Sequence, residues 1–459
     1  MFLYCAYDKE KHWNLESCWT GVLRCLLFPQ RLLDVGKEEE QEEAAPPCRS
    51  LPQLCSIPRR LVISPGLGGA PVTPQLTEVR QRDGETKSKL TSYQLEGFSS
   101  CPSLSQSLRR ILFGGTFHVF NYEWRKSVFQ FRESDSEFSY ALETDRGGTR
   151  PIQMVVQARV IKHLLFKRLC VCSLCVGPRD QERALAVALS DSLWLAGQEV
   201  SATVTLVTED YCITPHLDYK LDNFTERLQL FTFNNKDDVR KFIFDRIQCF
   251  TDEGSHGVIL FLYSLICSRT VDRLKEDLDS TTSHLLYLSL GNFVCRQALL
   301  NLLLTGRASP NVFNGTVNFG EDGRPLEHPL QGVMSRSDVG YLHWSREQME
   351  RGRLPPVGSM LKTPRFPVWL CSINNSHSVL FSVNRSLLSD WKMEHLFHLF
   401  YYNGQTNQTT RLTVDTHSHH WEASSSHSDP EKRFPSLEMT IRTKWDGAAI
   451  DWNSTVPFY

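Results

Sequence analysis

The stretch from Glu143 to Phe166, reading ETDRGGTRPIQMVVQARVIKHLLF, constrains the fold of this chain more than any other. Gly147-Gly148 is a turn signal, because glycine reaches positive φ without steric cost. Pro151 suits the first position of a helix, where its missing N–H is not needed. Ile152, Val155, Val156, Val160, Leu164 and Leu165 recur at helical spacing, which predicts one buried face. The segment reads as a strand or loop, a Gly-Gly turn and a helix entering the core. A thiol at the mouth of such a helix would be a good nucleophile, since the partial positive charge there lowers its pKa. Arg150 stands at that mouth instead.

A second informative run is Phe366 to Val383, FPVWLCSINNSHSVLFSV. Val368, Trp369 and Leu370 on one side, and Val379, Leu380 and Phe381 on the other, flank Asn374-Asn375. That pattern predicts a β-hairpin with His377 at the start of its second strand. Asn403, in the later FYYNG run, is either a turn residue before Gly404 or a group that orients the imidazole. Leu228 to Phe233 alternates as a strand, and Glu182 to Trp194 has the spacing of a helix. So do Asp237 to Phe250, capped by Asp237 or Asp238, Gly257 to Leu278, and Arg296 to Gly306 with Gly306 as C-cap. Val128 to Phe131 reads as a short edge strand. Met439 to Trp452 reads as a C-terminal strand, with Trp445 and Trp452 in the core.

Composition limits the function classes. A hydrophobic share of 41% and a charged share of 22% over 459 residues describe a soluble globular protein. A net charge of -2 gives no bulk attraction to nucleic acid or to an anionic membrane, so neither is an expected partner. The longest apolar run, Val258 to Cys267, is well short of the ~20 residues that span a bilayer. Asp8, Lys9 and Glu10 come too early for a secretory signal, which predicts an intracellular protein, cytoplasmic or nuclear. The 14 cysteines are irregularly spaced and are expected as buried free thiols. Cys170, Cys172 and Cys175 have a zinc-like spacing, with His163 the one local fourth ligand. A structural site wants paired clusters, and none follows, so no metal and no cofactor is expected. His417, His419 and His420 fall in a Ser- and His-rich stretch read as a solvated loop. Residues 1–105 carry the charge run KEEEQEE and scattered prolines, a composition that cannot offset the entropy of ordering. The globular domain is placed at 106–459.

The two informative runs together resemble the MINDY family of deubiquitinases. The family's catalytic motif is roughly Q-x-x-G-G-P-C-G followed by an apolar helix ending in LLF. Gly147, Gly148, Val156, Gln157, Leu164, Leu165 and Phe166 match it. Thr149 falls where Pro is expected, Pro151 where Gly is, Arg150 where the catalytic Cys is, and Thr144 where the oxyanion-stabilising Gln is. The family's later pattern, KTPxFPxW and then S-H-x-x-x-L-F-S, is matched by Lys362, Thr363, Pro364, Phe366, Pro367, Trp369, Ser376, His377, Leu380, Phe381 and Ser382. His377 falls on the general base. The LLLTGRA run with NVFNG, and the RTKW run, also match. Within the family the pattern is nearest to the fourth group, and to an inactive branch of it.

This resemblance implies an α+β, papain-like cysteine-protease-related domain behind a low-complexity N-terminal extension. It implies thiol-dependent removal of ubiquitin from lysine-48-linked chains, with ubiquitin or polyubiquitin as the partner. Because Arg150 and Thr144 replace both chemical groups, it implies here a cleft without its chemistry. A guanidinium beside His377 should also depress the imidazole pKa. Two alternatives stay open: a displaced nucleophile at Cys295 or Cys371, and an adaptor with no ubiquitin role. Ser376 adjoins His377 but faces the other side of its strand.

Overall fold

The structure, a computed structural model, describes residues 98–457 apart from 100–101, 134–135, 137, 168–173, 175, 209–219, 321, 406–408 and 421–433. Residues 1–97 of the expected leader, and Cys170, Cys172 and Cys175, lie outside the described residues. The boundary expected between 105 and 106 falls inside helix α1 (Pro102–Phe113). Helices α2 (Tyr122–Lys126), α3 (Arg150–Phe166) and α4 (Pro178–Ala196) follow. A three-stranded antiparallel sheet takes β1 (Phe98–Ser99), β2 (Ala202–Val207) and β3 (Leu228–Phe233) in the order β1-β3-β2. Next come α5 (Lys236–Phe244), α6 (Gln248–Thr251), α7 (Gly257–Arg269) and α8 (Val271–Asp277). The hairpin β4 (Leu286–Ser289) and β5 (Asn292–Cys295) leads into α9 (Gln297–Thr305), then the hairpin β6 (Thr316–Phe319) and β7 (Pro325–Gln331).

The main sheet is built from β8 (Gly340–Trp344), β9 (Val368–Ile373), β10 (Ser376–Phe381), β11 (Leu396–Tyr402), β12 (Thr410–His420) and β13 (Ala448–Asp451). They lie in the order β13-β12-β11-β10-β9-β8, antiparallel except for the parallel β8–β9 pair. The architecture is α+β. Because side chains alternate across a strand, the sheet has two cores. Tyr341, Leu370, Val379, Phe381 and Tyr402 share the main core with α3. Leu342, Trp369, Cys371, Leu380 and Leu399 share a second core with Leu437, Ile441, Trp445 and Trp452.

Helix α3 runs through the middle of the molecule, against β9, β10, α4 and α9. Every residue of it except His163 and Phe166 is buried, so the expectation of a single buried face is corrected. The polar positions are buried because each finds a partner, as desolvated polar groups must. Gln153 Nε2 donates to Val128 O at 2.9 Å, and Gln157 Nε2 to Tyr140 O at 3.0 Å while its Oε1 accepts from Leu142 N. Lys162 Nζ sits 2.9 Å from Asp191 and 3.2 Å from Asp338.

Other expectations are corrected. Asp237 to Phe250 is two helices, α5 and α6, and the cap is Asn235, whose side chain accepts from Asp237 N at 3.0 Å. Gly257 to Leu278 breaks at Thr270, which takes φ 70° and caps α8. Val128 to Phe131 makes only an isolated bridge, Phe131 to Leu142, because Phe129 N bonds Phe250 O outside any sheet. The C-terminal run opens as helix α12 (Ser436–Arg442), where Arg442 pairs one turn back with Glu438 at 2.8 Å, and only β13 is strand. His417 lies on β12, not in a loop, with its ring stacked on His395 at 4.6 Å.

Candidate active site

The mouth of α3 is held by the β4–β5 hairpin. Trp124 Nε1 donates to Phe293 O at 2.9 Å. A Cβ on Gly148 would lie 1.8 Å from that same oxygen, so only glycine lets the chain pass. Cys295, two residues further along β5, donates its thiol to Gly148 O at 3.3 Å. The helix begins at Arg150, so Pro151 occupies its second position and not its first. Thr149 makes no capping bond; its hydroxyl lies 2.9 Å from that of Ser127.

The Arg150 side chain crosses to the main sheet. Its Nε donates to His377 O at 2.9 Å, and a terminal N–H donates to Asn403 O. The residue is 6% exposed. Burial lowers its pKa, helped by Arg146, and no carboxylate figures among the charges acting on it. Thr144 is buried alongside, and both its N–H and its hydroxyl donate to Gly404 O, at 3.2 and 3.3 Å. Gly404 has φ 79°, and a Cβ there would meet Thr144 Oγ1 at 2.3 Å. Asn403 Oδ1 accepts from Gln405 N at 3.0 Å, the bond of a turn residue. Thr144, Arg150, His377 and Asn403 thus converge, linked through main-chain oxygens.

His377 is half-buried on β10, opposite Ser372 on β9, which is opposite His343 on β8. The three side chains share one face of the sheet. Burial first, then the Arg150 and His343 charges, push the His377 pKa down to about 3. At neutral pH the imidazole is therefore uncharged and a weak base. His343 Nε2 lies 2.7 Å from Gln348 Oε1, which puts its proton there, while its buried Nδ1 has no partner among the described residues. His377, His343, Tyr341, Gln348 and Cys295 line a cavity of about 410 Å³. The β8 residues escaped the sequence reading; the one signal for them is the alternation of Tyr341 and His343 in GYLHW.

The alternative nucleophiles separate on geometry. Cys371 pairs with Ser378, and Ser376 with Ile373, so both lie on the sheet face away from His377. Cys371 is fully buried, and burial pushes its thiol pKa up. Cys295 is on the His377 cavity, but burial pushes its thiol up as well, and the thiol is a hydrogen-bond donor. Among the described residues, no group of three His, Cys, Asp or Glu side chains could hold a metal ion, and no helix is long and apolar enough to cross a membrane.

Residues 109–454 match the family model described as deubiquitinating enzyme MINDY-3/4, conserved domain. The chain belongs to the MINDY-3/4 family. It is 38% identical over 361 residues to the mouse protein named probable ubiquitin carboxyl-terminal hydrolase MINDY-4, covering 77% of this chain and 46% of that one. Identity to human MINDY-4 is 36% over 361 residues, with the same 77% and 46% coverage. Human ubiquitin carboxyl-terminal hydrolase MINDY-3 is 26% identical over 285 residues, 57% of this chain and 60% of that one. The chain spans about half the length of the MINDY-4 relatives it matches. No solved structure gives a significant match.

Proposed function

We propose that this MINDY-3/4 chain is an inactive ubiquitin carboxyl-terminal hydrolase, a papain-like cleft carried by residues 106–459 that binds ubiquitin chains without cutting them. The observation that carries the reading is Arg150 at the mouth of α3, bonded to the oxygens of His377 and Asn403. Relatives of this chain are named as ubiquitin carboxyl-terminal hydrolases. Thiol-dependent hydrolysis of an isopeptide bond needs a thiolate, a base that takes and returns a proton, and a donor for the oxyanion. Arg150 takes the position of the thiol and holds its protons at neutral pH. His377 is too weak a base for the work, and the Thr144 hydroxyl is engaged by Gly404 O. What remains is a cavity beside His377, with lysine-48-linked polyubiquitin as the ligand the resemblance points to.

The test is a titration of the whole chain with tetra-ubiquitin of defined linkages, with cleavage followed in the same samples. Saturable binding that favours lysine-48 linkage, with every chain intact, is expected. Absence of saturable binding to any linkage would defeat the reading and favour an adaptor with no ubiquitin role. A second reading, a displaced nucleophile at Cys295, draws on the cavity that its thiol shares with His377. Cleavage that vanishes in Cys295→Ala would establish it.

A further inference from the structure

A second cavity, of about 330 Å³, lies where the C-terminal ends of α4 and α9 meet the 335–338 segment. It shares no residue with the His377 cavity. Its lining is unusually cationic: Arg159, Lys236, Arg269, Arg307, Arg336 and Arg365. The carboxylates on the same wall are Asp191, Glu199 and Asp338. Two of them already serve Lys162 from behind, while Asp277, also behind the wall, holds Arg269 at 2.7 Å and Arg307 at 3.2 Å. With Lys162 and Asp277 included, the cations exceed the carboxylates by three. Each helix C-terminus contributes about half a negative charge. A surplus of roughly two positive charges is left.

The floor of the cavity has donors without acceptors. Arg159, on α3, is 2% exposed and gives one N–H to Leu303 O at 2.7 Å, but its Nε has no partner among the described residues. Asp191 and Asp338 act on Arg159 only from beyond ion-pair distance. Arg269 is equally buried and its Nη1 is also without a partner. Unsatisfied buried donors are costly, and two guanidiniums with spare N–H groups on one cavity match an anion that accepts several hydrogen bonds at once. On the rim, Arg336 is exposed and makes no ion pair with the described residues. The volume suits a small ligand and is too confined for a protein surface.

We propose that this cavity binds a compact polyanion with clustered phosphates, of the class of nucleoside or inositol polyphosphates. Arg159 and Arg269 form the floor and Arg336 and Arg365 the entrance. The site is independent of the ubiquitin reading, since it uses none of the residues around His377.

The experiment is calorimetric titration of the whole chain with inorganic tripolyphosphate, at low and at raised salt, with the melting temperature followed in parallel. Saturable binding at one site is expected, with a rise of several degrees in melting temperature and an affinity at least tenfold weaker at the higher salt. Arg336→Glu combined with Arg365→Glu should weaken binding at least tenfold while the unliganded protein melts as before. Arg336→Glu alone, at an exposed position without an ion pair, serves if the double variant folds poorly. No saturable binding, or undiminished affinity in a folded rim variant, overturns the proposal. Adenosine triphosphate and an inositol hexakisphosphate titrated in the same way separate the two sources of the phosphates by which binds more tightly.

Discussion

Arg150 Nε donates to the main-chain oxygen of His377 at 2.9 Å, so the residue at the mouth of α3 is fastened to the strand that carries the imidazole. Its other bond, to Asn403 O, reaches the turn after β11. One guanidinium thus bridges a helix and two neighbouring strand ends, at the place where the family motif has a small reactive thiol. Such a bridge gives Arg150 a structural role.

Replacing Arg150 with methionine, which keeps length and loses both bonds, should destabilise the fold by about 2 kcal/mol. Hydrogen bonds from a charged group are worth about 1.5–3 kcal/mol each, partly offset by relief of a buried charge that has no counter-ion. Chemical denaturation reads this directly. An unchanged midpoint would show that the bridge carries no net stabilisation.

The depressed His377 pKa makes a signed prediction. The folded group titrates near 3 and the unfolded group near its ordinary 6.5, so between those values the unfolded chain binds more protons. Its contribution to stability is complete above 6.5 and declines as pH falls toward 3. The steepest loss from one such group is about 1.4 kcal/mol per pH unit. The His377→Gln variant should therefore show a flatter fall in stability on acidification than the parent. Parallel pH profiles would rule out a shifted imidazole.

Gly148→Ala places a methyl carbon 1.8 Å from Phe293 O, a main-chain atom that cannot swing aside. A loss of about 2 kcal/mol or more is expected from overpacking, together with a blue shift or quenching change in Trp124 fluorescence, since Trp124 Nε1 bonds the same oxygen. Gly147→Ala, with no atom within 4 Å of its Cβ, is the control and should be nearly neutral.

Combining Arg150→Cys with Thr144→Gln and Pro151→Gly rebuilds the family motif on this frame. Removing the guanidinium also removes the second-largest cause of the low His377 pKa, so the imidazole recovers basicity. The folded triple variant is expected to react with a ubiquitin-derived electrophilic probe. No adduct on a folded triple variant would mean that the frame has lost more than its chemical groups.

The hairpin that carries His377 was readable because Asn374 and Asn375 both take positive φ, 47° and 64°, a demand that asparagine meets more readily than most residues. Gly306 was readable for the same reason, with φ 77° at the end of α9. The depth of α3 was not, because Gln153, Gln157 and Lys162 look like a solvent face until their partners, distant in sequence, are placed. Nor was the row from His377 through Ser372 to His343. It depends on the parallel pairing of β8 with β9 across a connection of short helices, and no local pattern encodes that pairing. The break at Thr270 and the helix at the C-terminus were missed because single caps and one-turn ion pairs outweighed the apolar spacing.

The most direct test of the account is intact-mass analysis of the whole chain after incubation with a ubiquitin-derived electrophilic probe, beside a titration with lysine-48-linked tetra-ubiquitin. The account predicts saturable binding of the chains and no mass addition to the parent protein. A probe adduct on the parent that disappears in Cys295→Ala would contradict it.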